Sequence, residues 1–380
     1  MKILVLVEHI NDSAPGLVFS KFINELSSKN ELEIISAGKI QEENFPRALY
    51  FYKSFCPKLS SRKELLLQRL FLTNPIDALW AFANNKKYSE SYDVILSLVS
   101  GVYLCPLFLG YKLAKKYDAK YVVYSTDAIP APGWDVNVYG KKARKKIVAR
   151  YLKYADCYCT INEKMLKYQL TTFCNKPKLV PATIPLSVNS SIIENYSSST
   201  EIVFLYTGGI YLNRKATHVL KAFEKLLVEI PNARFVFVGT KIPNDQLLSV
   251  HNETLSHIEF YGYSKDLTPF YKRCSVLVDI DSDVPNDVFL SSKIISYLTI
   301  NRPILCQTGA ESPSRALFNG FRSIIQCDHD VDELVIGMKK SIRYMQNVAD
   351  YTDRENLIKE LTITNIVNKF TNTLNSVLEK

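Results

Sequence analysis

Two successive series of short apolar runs rich in β-branched residues, each run followed by a longer amphipathic stretch, constrain this chain more than any other feature. The first series is KILVLVE, ELEIISA, DVILSLV, KYVVYST, CYCTI and KLVPA; the second is EIVFLYTGG, RFVFVGT, HIEFYGY, SVLVDID, RPILCQT and RSIIQC. Strands that alternate with helical stretches in this way form parallel sheets, because a parallel neighbour can be reached only by a crossover, usually a helix. Two such series in 380 residues, 47% apolar and 22% charged, predict two α/β domains of ordinary size rather than one core or a disordered chain.

The boundary is expected at LSVNSSIIENYSSST (residues 186–200), which is rich in Ser and Asn and lacks any hydrophobic period. We therefore expect a domain over 1–185, a linker over 186–200, a second domain over 201–350 and a C-terminal helical segment over 351–380. In that last segment Leu357, Leu361, Ile366, Val367, Phe370, Leu374 and Val377 recur at helical intervals. The stripe needs an apolar surface to cover and is expected to pack back towards the N-terminal domain. No internal repeat is evident beyond the doubling of the α/β unit.

Several classes are excluded or disfavoured. The eight cysteines form no CxxC pair, and Cys157 and Cys159 stand two apart on one strand face, as buried thiols in a reducing cytoplasm would. The apolar run at residues 3–7 meets Glu8 and His9 at once and is too short for a secretory segment. Residues 94–111 carry no charge, but Ser97, Ser100, Gly101 and Pro106 divide them into a strand, a turn and a helix start rather than a membrane span. The five histidines show no paired spacing, and Asp328-His329-Asp330 reads as a polar turn, so neither a metal nor a cofactor is expected. No GxGxxG follows any strand, which argues against a dehydrogenase.

Candidate chemistry concentrates in the second half. In FLSSKIISYLTINRPILCQTG a helix is expected to start at Ser291 or Ser292 and to close near Asn301, with Arg302-Pro303 leading into a strand. The amide groups at such a start, with Ser291, Ser292 and Lys293 on it, suit phosphate oxygens; an ordinary capped surface helix is the plainer alternative. In YTGGIYLNRKATHVLKAF, Gly208 and Gly209 follow a strand and Arg214 and Lys215 open the next helix. Glycines admit a close backbone approach, and the cations after them can neutralise a diphosphate leaving group, although a glycine pair alone is commonly just a turn.

Together these segments resemble the C-terminal domain of group 1 glycosyltransferases (family 4), which have the GT-B fold. The matching residues are Tyr206, Gly208, Arg214 and Lys215, then Ser291, Ser292, Lys293, Tyr297, Leu298, Arg302 and Pro303. The resemblance implies two Rossmann-like parallel-sheet domains facing a central cleft. It implies donor-diphosphate contacts from Arg214 or Lys215 with Lys293, and a nucleobase beside Gly262 and Tyr263 of HIEFYGY. Where the family usually carries a ribose-binding glutamate before Tyr-Leu, this chain has Ser296; the partner position eight residues earlier is Val288, with Asp287 beside it.

The N-terminal half matches more loosely. By resemblance Asp127, after the strand of YVVYSTDAIPAPGW, would be the catalytic acidic group near the transferred sugar; a turn Asp is the alternative. Asp156 in ADCYCTINEKM is expected to be structural. His9 and Gly16 in the first strand-to-helix connection fall where the family has its acceptor-side loop, although a lone His at a strand end is more often a packing residue.

Charge divides the halves. Residues 1–185 hold 27 Lys/Arg against 16 Asp/Glu, and the remainder holds 20 against 22. RALYFYKSFCPKLSSRKELLLQRLFL (residues 47–72, from Arg47 to Leu72) and KKARKKIVARYLK (residues 141–153, from Lys141 to Lys153) mix basic with apolar or aromatic residues. Such stretches suit an anionic membrane surface or a lipid-linked acceptor, or else a helix packed by its apolar face. No nucleic acid is expected. The sequence thus predicts a glycosyltransferase that moves a hexose or N-acetylhexosamine from a nucleoside diphosphate sugar to a hydroxyl of a glycan or lipid-linked acceptor. The resemblance implies retention of configuration, a role in surface polysaccharide biosynthesis and a cytoplasmic location, peripheral on the inner face of the plasma membrane. The alternatives are a catalytically silent nucleotide-sugar-binding partner subunit and a nucleotide-sugar epimerase of the same fold.

Overall fold

The computed structural model describes the chain apart from residues 9, 11–13, 39, 41–44, 46–48, 55–74, 101–103, 134–144, 147, 174–178, 190–200, 212 and 348–351. It divides into two compact units, one of Met1–Leu186 with Ile363–Lys380 and the other of Ser187–Thr362.

The first unit is built on seven strands: β1 (Lys2–Val7), β2 (Glu31–Ser36), β3 (Tyr50–Tyr52), β4 (Val94–Val99), β5 (Lys120–Ser125), β6 (Cys157–Thr160) and β7 (Val180–Thr183). Their order is β3-β2-β1-β4-β5-β6-β7, and every pair is parallel. The order reverses between β1 and β4, the place where an open parallel sheet leaves a crevice at its carboxyl edge. Within residues 94–111 the described residues include strand β4 and the start of the helix Cys105–Tyr117. No described helix is long and apolar enough to cross a membrane. Cys157 and Cys159 lie on one face of β6 as buried thiols, with sulfurs 3.5 Å apart.

Strand β3 is a short addition that the sequence pattern did not reveal, since it falls in the aromatic and basic stretch after Arg47. Its Tyr52 hydroxyl donates to Glu33 Oε2 at 2.6 Å, which ties the edge strand to the sheet. The helix Ile363–Leu378 belongs to this unit and packs against the helix Ala14–Ser27. Ile366, Val367, Phe370, Leu374 and Val377 are buried there, and the Phe370 ring meets Phe22 edge-on at 5.0 Å.

The second unit has six strands: β8 (Ile202–Thr207), β9 (Ala233–Val238), β10 (Ile258–Tyr261), β11 (Val276–Ile280), β12 (Ile304–Gln307) and β13 (Ile324–Cys327). The order β10-β9-β8-β11-β12-β13 is again wholly parallel and reverses between β8 and β11. All six were legible as apolar runs. Phe204, Phe223, Phe235 and Phe237 are fully buried in one core with Leu334 and Met338. Each such phenylalanine contributes about 1.5–3 kcal/mol by leaving water.

The turn between the helix Ser292–Tyr297 and β12 is buried, so its carbonyls need donors from side chains. Arg302 Nε donates to Cys274 O at 2.7 Å, and buried Arg354 donates to the carbonyls of Ile300 and Arg302. Ser323 donates to Asp353, so the segment before the last two helices is tied to the strand edge next to β13.

Candidate functional site

The two motif-bearing loops of the second unit leave β8 and β11 side by side at the reversal of strand order. Gly208, directly after β8, has φ +95°, a conformation L side chains rarely adopt. A Cβ placed there would stand 3.3 Å from Lys293 Cδ, so the glycine lets the lysine stem lie across the strand end. Tyr297 joins the loops from beneath. Its buried hydroxyl accepts the Thr207 amide at 2.9 Å and lies 3.0 Å from Thr207 Oγ1.

The helix expected after Ser291 is present but short, Ser292–Tyr297. Ser291 has the backbone of an N-cap, yet its side chain does not cap. The hydroxyl instead donates to Asp279 Oδ1 at 2.9 Å, because a buried carboxylate at the end of β11 is the stronger acceptor. Asn301 does not close the helix, which ends at Tyr297. With so few aligned peptides, the site draws its positive charge mainly from side chains.

Those side chains are Arg214 and Lys293, gathered above the buried carboxylates of Asp279 and Asp281, which are 2% and 1% exposed. Arg214 forms an isolated antiparallel bridge with Ser282, its Nε is 3.5 Å from Asp281 Oδ1, and its guanidinium lies 5.2 Å from the Tyr211 ring centre. Lys293 Nζ lies 5.4 Å from the centre of the buried Tyr206 ring. Asp281 Oδ1 also accepts from the Ser282 amide at 2.9 Å, while its buried Oδ2 has no hydrogen-bond partner among the described residues.

The electrostatics follow from this crowding. Burial, reinforced by the neighbouring Arg214 charge, pushes the Lys293 ammonium down to about 8, against the pull of Asp279 and Asp281. Burial raises the Asp279 carboxyl; Asp281 adds to the rise, while Lys293 and Arg214 oppose it. For Arg214 burial works against the charge, but Asp281 and its neighbours hold the guanidinium above its ordinary value. Two cations resting on two carboxylates can receive an anion of two or more charges without leaving unpaired positive charge when it departs.

The remaining expected residues are placed as follows. Gly209 follows Gly208, and its carbonyl accepts from the Tyr206 hydroxyl at 2.8 Å. Lys215 is exposed, so of the two basic candidates Arg214 is the one turned to the carboxylates. Ser292 is exposed, and the Ser296 hydroxyl is turned into its own helix, donating to Ser292 O at 3.1 Å. Val288 is buried, and Asp287 Oδ1 accepts from the Phe289 amide at 2.9 Å. Gly262 and Tyr263 are exposed just past the edge strand β10, two strands from β8. In the first unit Asp127 is half-buried just beyond β5, its carbonyl accepting from Ser125 Oγ at 2.7 Å. Gly16 is buried in the helix Ala14–Ser27, and Asp156 accepts the Tyr121 amide at 2.8 Å, a structural tie. His9 lies outside the described residues, as do most of 47–72 and all of 141–144.

Asp279 and Asp281 were missed in the sequence. The available signal was VDID, two carboxylates two residues apart at the end of an apolar strand, hence on one face. Among the described residues no group of three metal-ligating side chains forms a cation site.

Residues 201–343, which contain both loops, match the profile of the family described as "Glycosyl transferases group 1". A search by sequence among curated proteins finds no match. Among solved structures, HepE of Anabaena in complex with UDP is 12% identical over 99% of this chain and 100% of its own, with a TM-score of 0.70. Sucrose-phosphate synthase of Thermosynechococcus elongatus is 12% identical over 100% of both chains, with a TM-score of 0.70. The lipopolysaccharide outer core galactosyltransferase WaaB is 14% identical over 99% of both, with a TM-score of 0.63. At such identities these structures share the fold. Residues 201–343 are therefore a group 1 glycosyltransferase domain, and the chain that carries them has the GT-B fold.

Proposed function

We propose that this protein transfers a hexose or N-acetylhexosamine from a nucleoside diphosphate sugar to a hydroxyl of a glycan or lipid-linked acceptor, with retention of configuration. The observation that carries the reading is the convergence of Arg214 and Lys293 on buried Asp279 and Asp281, beside the open backbone of Gly208. Cations held in place before the reaction stabilise charge that develops on a leaving group, at little reorganisation cost. In the transfer the bond from the anomeric carbon to the diphosphate breaks, and its electron pair stays on the diphosphate oxygen facing Arg214 and Lys293. The acceptor oxygen bonds to the same carbon, and its proton passes to the departing diphosphate. Asp127 is proposed to support the sugar, with Gly262 and Tyr263 beside the base and His9 and Gly16 on the acceptor side.

Several observations support a donor of this class. HepE has been solved with UDP and with UDP-glucose, and an E. coli protein named for trehalose-6-phosphate with UDP-2-fluoro glucose. The acceptor reading draws on the net positive charge of the first half and on the exposed basic residues around the stacked rings of Tyr111 and Tyr154, whose centres are 4.0 Å apart. We propose that this face and residues 47–72 and 141–153 meet an anionic lipid surface on the cytoplasmic side of the membrane, and that the product joins a surface polysaccharide.

The position of Ser296 favours one second reading, a nucleotide-sugar-binding subunit without turnover, because its hydroxyl is directed into the helix. A thermal-shift panel of UDP, GDP, ADP and CMP tests donor binding. A ligand at 100 times its dissociation constant raises stability by about 2.7 kcal/mol. Arg214→Ala and Lys293→Ala are each expected to abolish that shift, and a wild-type shift in both variants overturns the site. Slow hydrolysis of the bound nucleotide-sugar, or transfer to an added acceptor, separates an enzyme from a silent subunit.

A further inference from the structure

Beside the cationic loop, at the carboxyl ends of β12 and β13, lies a partly buried polar chain that the donor reading does not use. Gln307, the last residue of β12, is fully buried. Its Nε2 lies 2.9 Å from the carbonyl of Lys215 and 3.1 Å from Nδ1 of His329. The carbonyl can only accept, so the amide must turn its NH2 towards it. With one hydrogen given to Lys215, the second points at His329 Nδ1. That nitrogen must then accept, which fixes a neutral imidazole with its proton on Nε2.

Among the contacts that hold the backbone on which Arg214 is carried are the Arg214 bridge to Ser282, the Ala216 amide donating to Gln246 Oε1 at 2.7 Å, and the Gln307 bond to Lys215. Of these three, the last is coupled to a titratable ring. A proton on His329 Nδ1 would set two donors against each other. Turning the amide to give Oε1 to the imidazolium relieves that repulsion but leaves two oxygens facing at Lys215, so the arrangement in which the imidazolium gains an acceptor is the one that loses the tie.

We propose that Gln307 and His329 are positioning residues for the Arg214 loop, and that protonation of His329 releases the loop and weakens donor binding. The inference rests on the diphosphate reading of the Arg214–Lys293 site. The groups facing His329 are the His218 ring, edge-on with its centre 5.9 Å away, together with Arg315, Asp283 and Asp328. Burial, His218 and Arg315 lower its pKa and the two aspartates oppose them, so the release belongs below the ordinary histidine range.

The test is the affinity for UDP-glucose at pH 7 and pH 5.5, measured calorimetrically on the full chain, with NMR of the His329 ring. The diphosphate diester does not titrate in this interval. In wild type the affinity falls as His329 protonates, by up to about fivefold for one lost hydrogen bond. His329→Asn supplies an oxygen near the Nδ1 position that cannot be protonated, and its affinity is expected to be the same at both pH values. Gln307→Leu binds about fivefold more weakly at pH 7, and its His329 titrates at higher pH than in wild type, because the neutral ring has lost the bond that favoured it. A His329→Asn variant with the full wild-type acid limb overturns the inference, as does an unchanged His329 titration in Gln307→Leu. Failure of wild type to bind any nucleotide at pH 7 overturns instead the diphosphate reading on which it rests.

Discussion

The sharpest prediction concerns the proton on Lys293, because stability and donor affinity should respond to it in opposite directions. Burial and the neighbouring Arg214 place the ammonium at about 8 in the folded, unliganded protein, against an ordinary lysine value of 10.5. The folded pKa lies below the unfolded one, so between these values the unfolded chain holds a proton that the folded chain has lost. Stability therefore rises with pH there. Evaluated from the two values, the lysine contributes a gain of about 0.8 kcal/mol between pH 7 and pH 8.5. In a unit of this size that is about 2–3 °C in melting temperature, and Lys293→Met should lack this increment.

A bound diphosphate keeps the ammonium charged, so the affinity follows the fraction already protonated. That fraction is about nine-tenths at pH 7 and about a quarter at pH 8.5, which predicts roughly fourfold weaker binding of UDP-glucose at the higher pH. Lys293→Arg, which stays charged, should bind with no such slope. Calorimetric titration at the two pH values, alongside melting curves without ligand, tests both halves. Wild-type affinity that stays constant over this interval, or a Lys293→Met variant that shows the same slope, refutes the placement of Lys293 against the diphosphate.

Other changes should act through the scaffold beneath the site. Gly208→Ala forces a side chain into the left-handed region and against Lys293 Cδ at 3.3 Å. A loss of about 1–2 kcal/mol in chemical denaturation and a weaker donor shift are expected. Tyr297→Phe removes the acceptor of the Thr207 amide and should cost about 1–3 kcal/mol, with a smaller thermal shift on adding UDP. Arg354→Met leaves the buried carbonyls of Ile300 and Arg302 without that donor; urea unfolding should show a loss of about 2–4 kcal/mol.

The alternation of apolar runs with amphipathic stretches was enough to anticipate a doubled, parallel α/β architecture, because a strand buried in a parallel sheet must be apolar and must be followed by a crossover. It marked all six strands of the second unit and six of the seven in the first. Strand β3 escaped because YFY is too short to show a period and is held at the sheet edge by a contact between Tyr52 and Glu33, a partner distant in sequence. Gly208, Arg214 and Lys293 were legible as motif residues, since a glycine at a strand end and a cation after it need only local spacing to be noticed.

What spacing could not give was the set of partners that decides how those residues behave. Ser291 looked like a helix cap until Asp279 was found within reach of its hydroxyl; Arg214 and Lys215 were equivalent until only Arg214 stood against Asp281. His329 looked like part of a polar turn until Gln307, itself bonded to the Lys215 carbonyl, was found against its ring. Patterning along a chain is set by which face of each element must leave water, and one sequence carries that information locally. Proton affinity and hydrogen-bond direction depend on groups within a few ångströms, and in a parallel sheet those groups come from strands separated by whole crossovers, so only the folded structure brings them together.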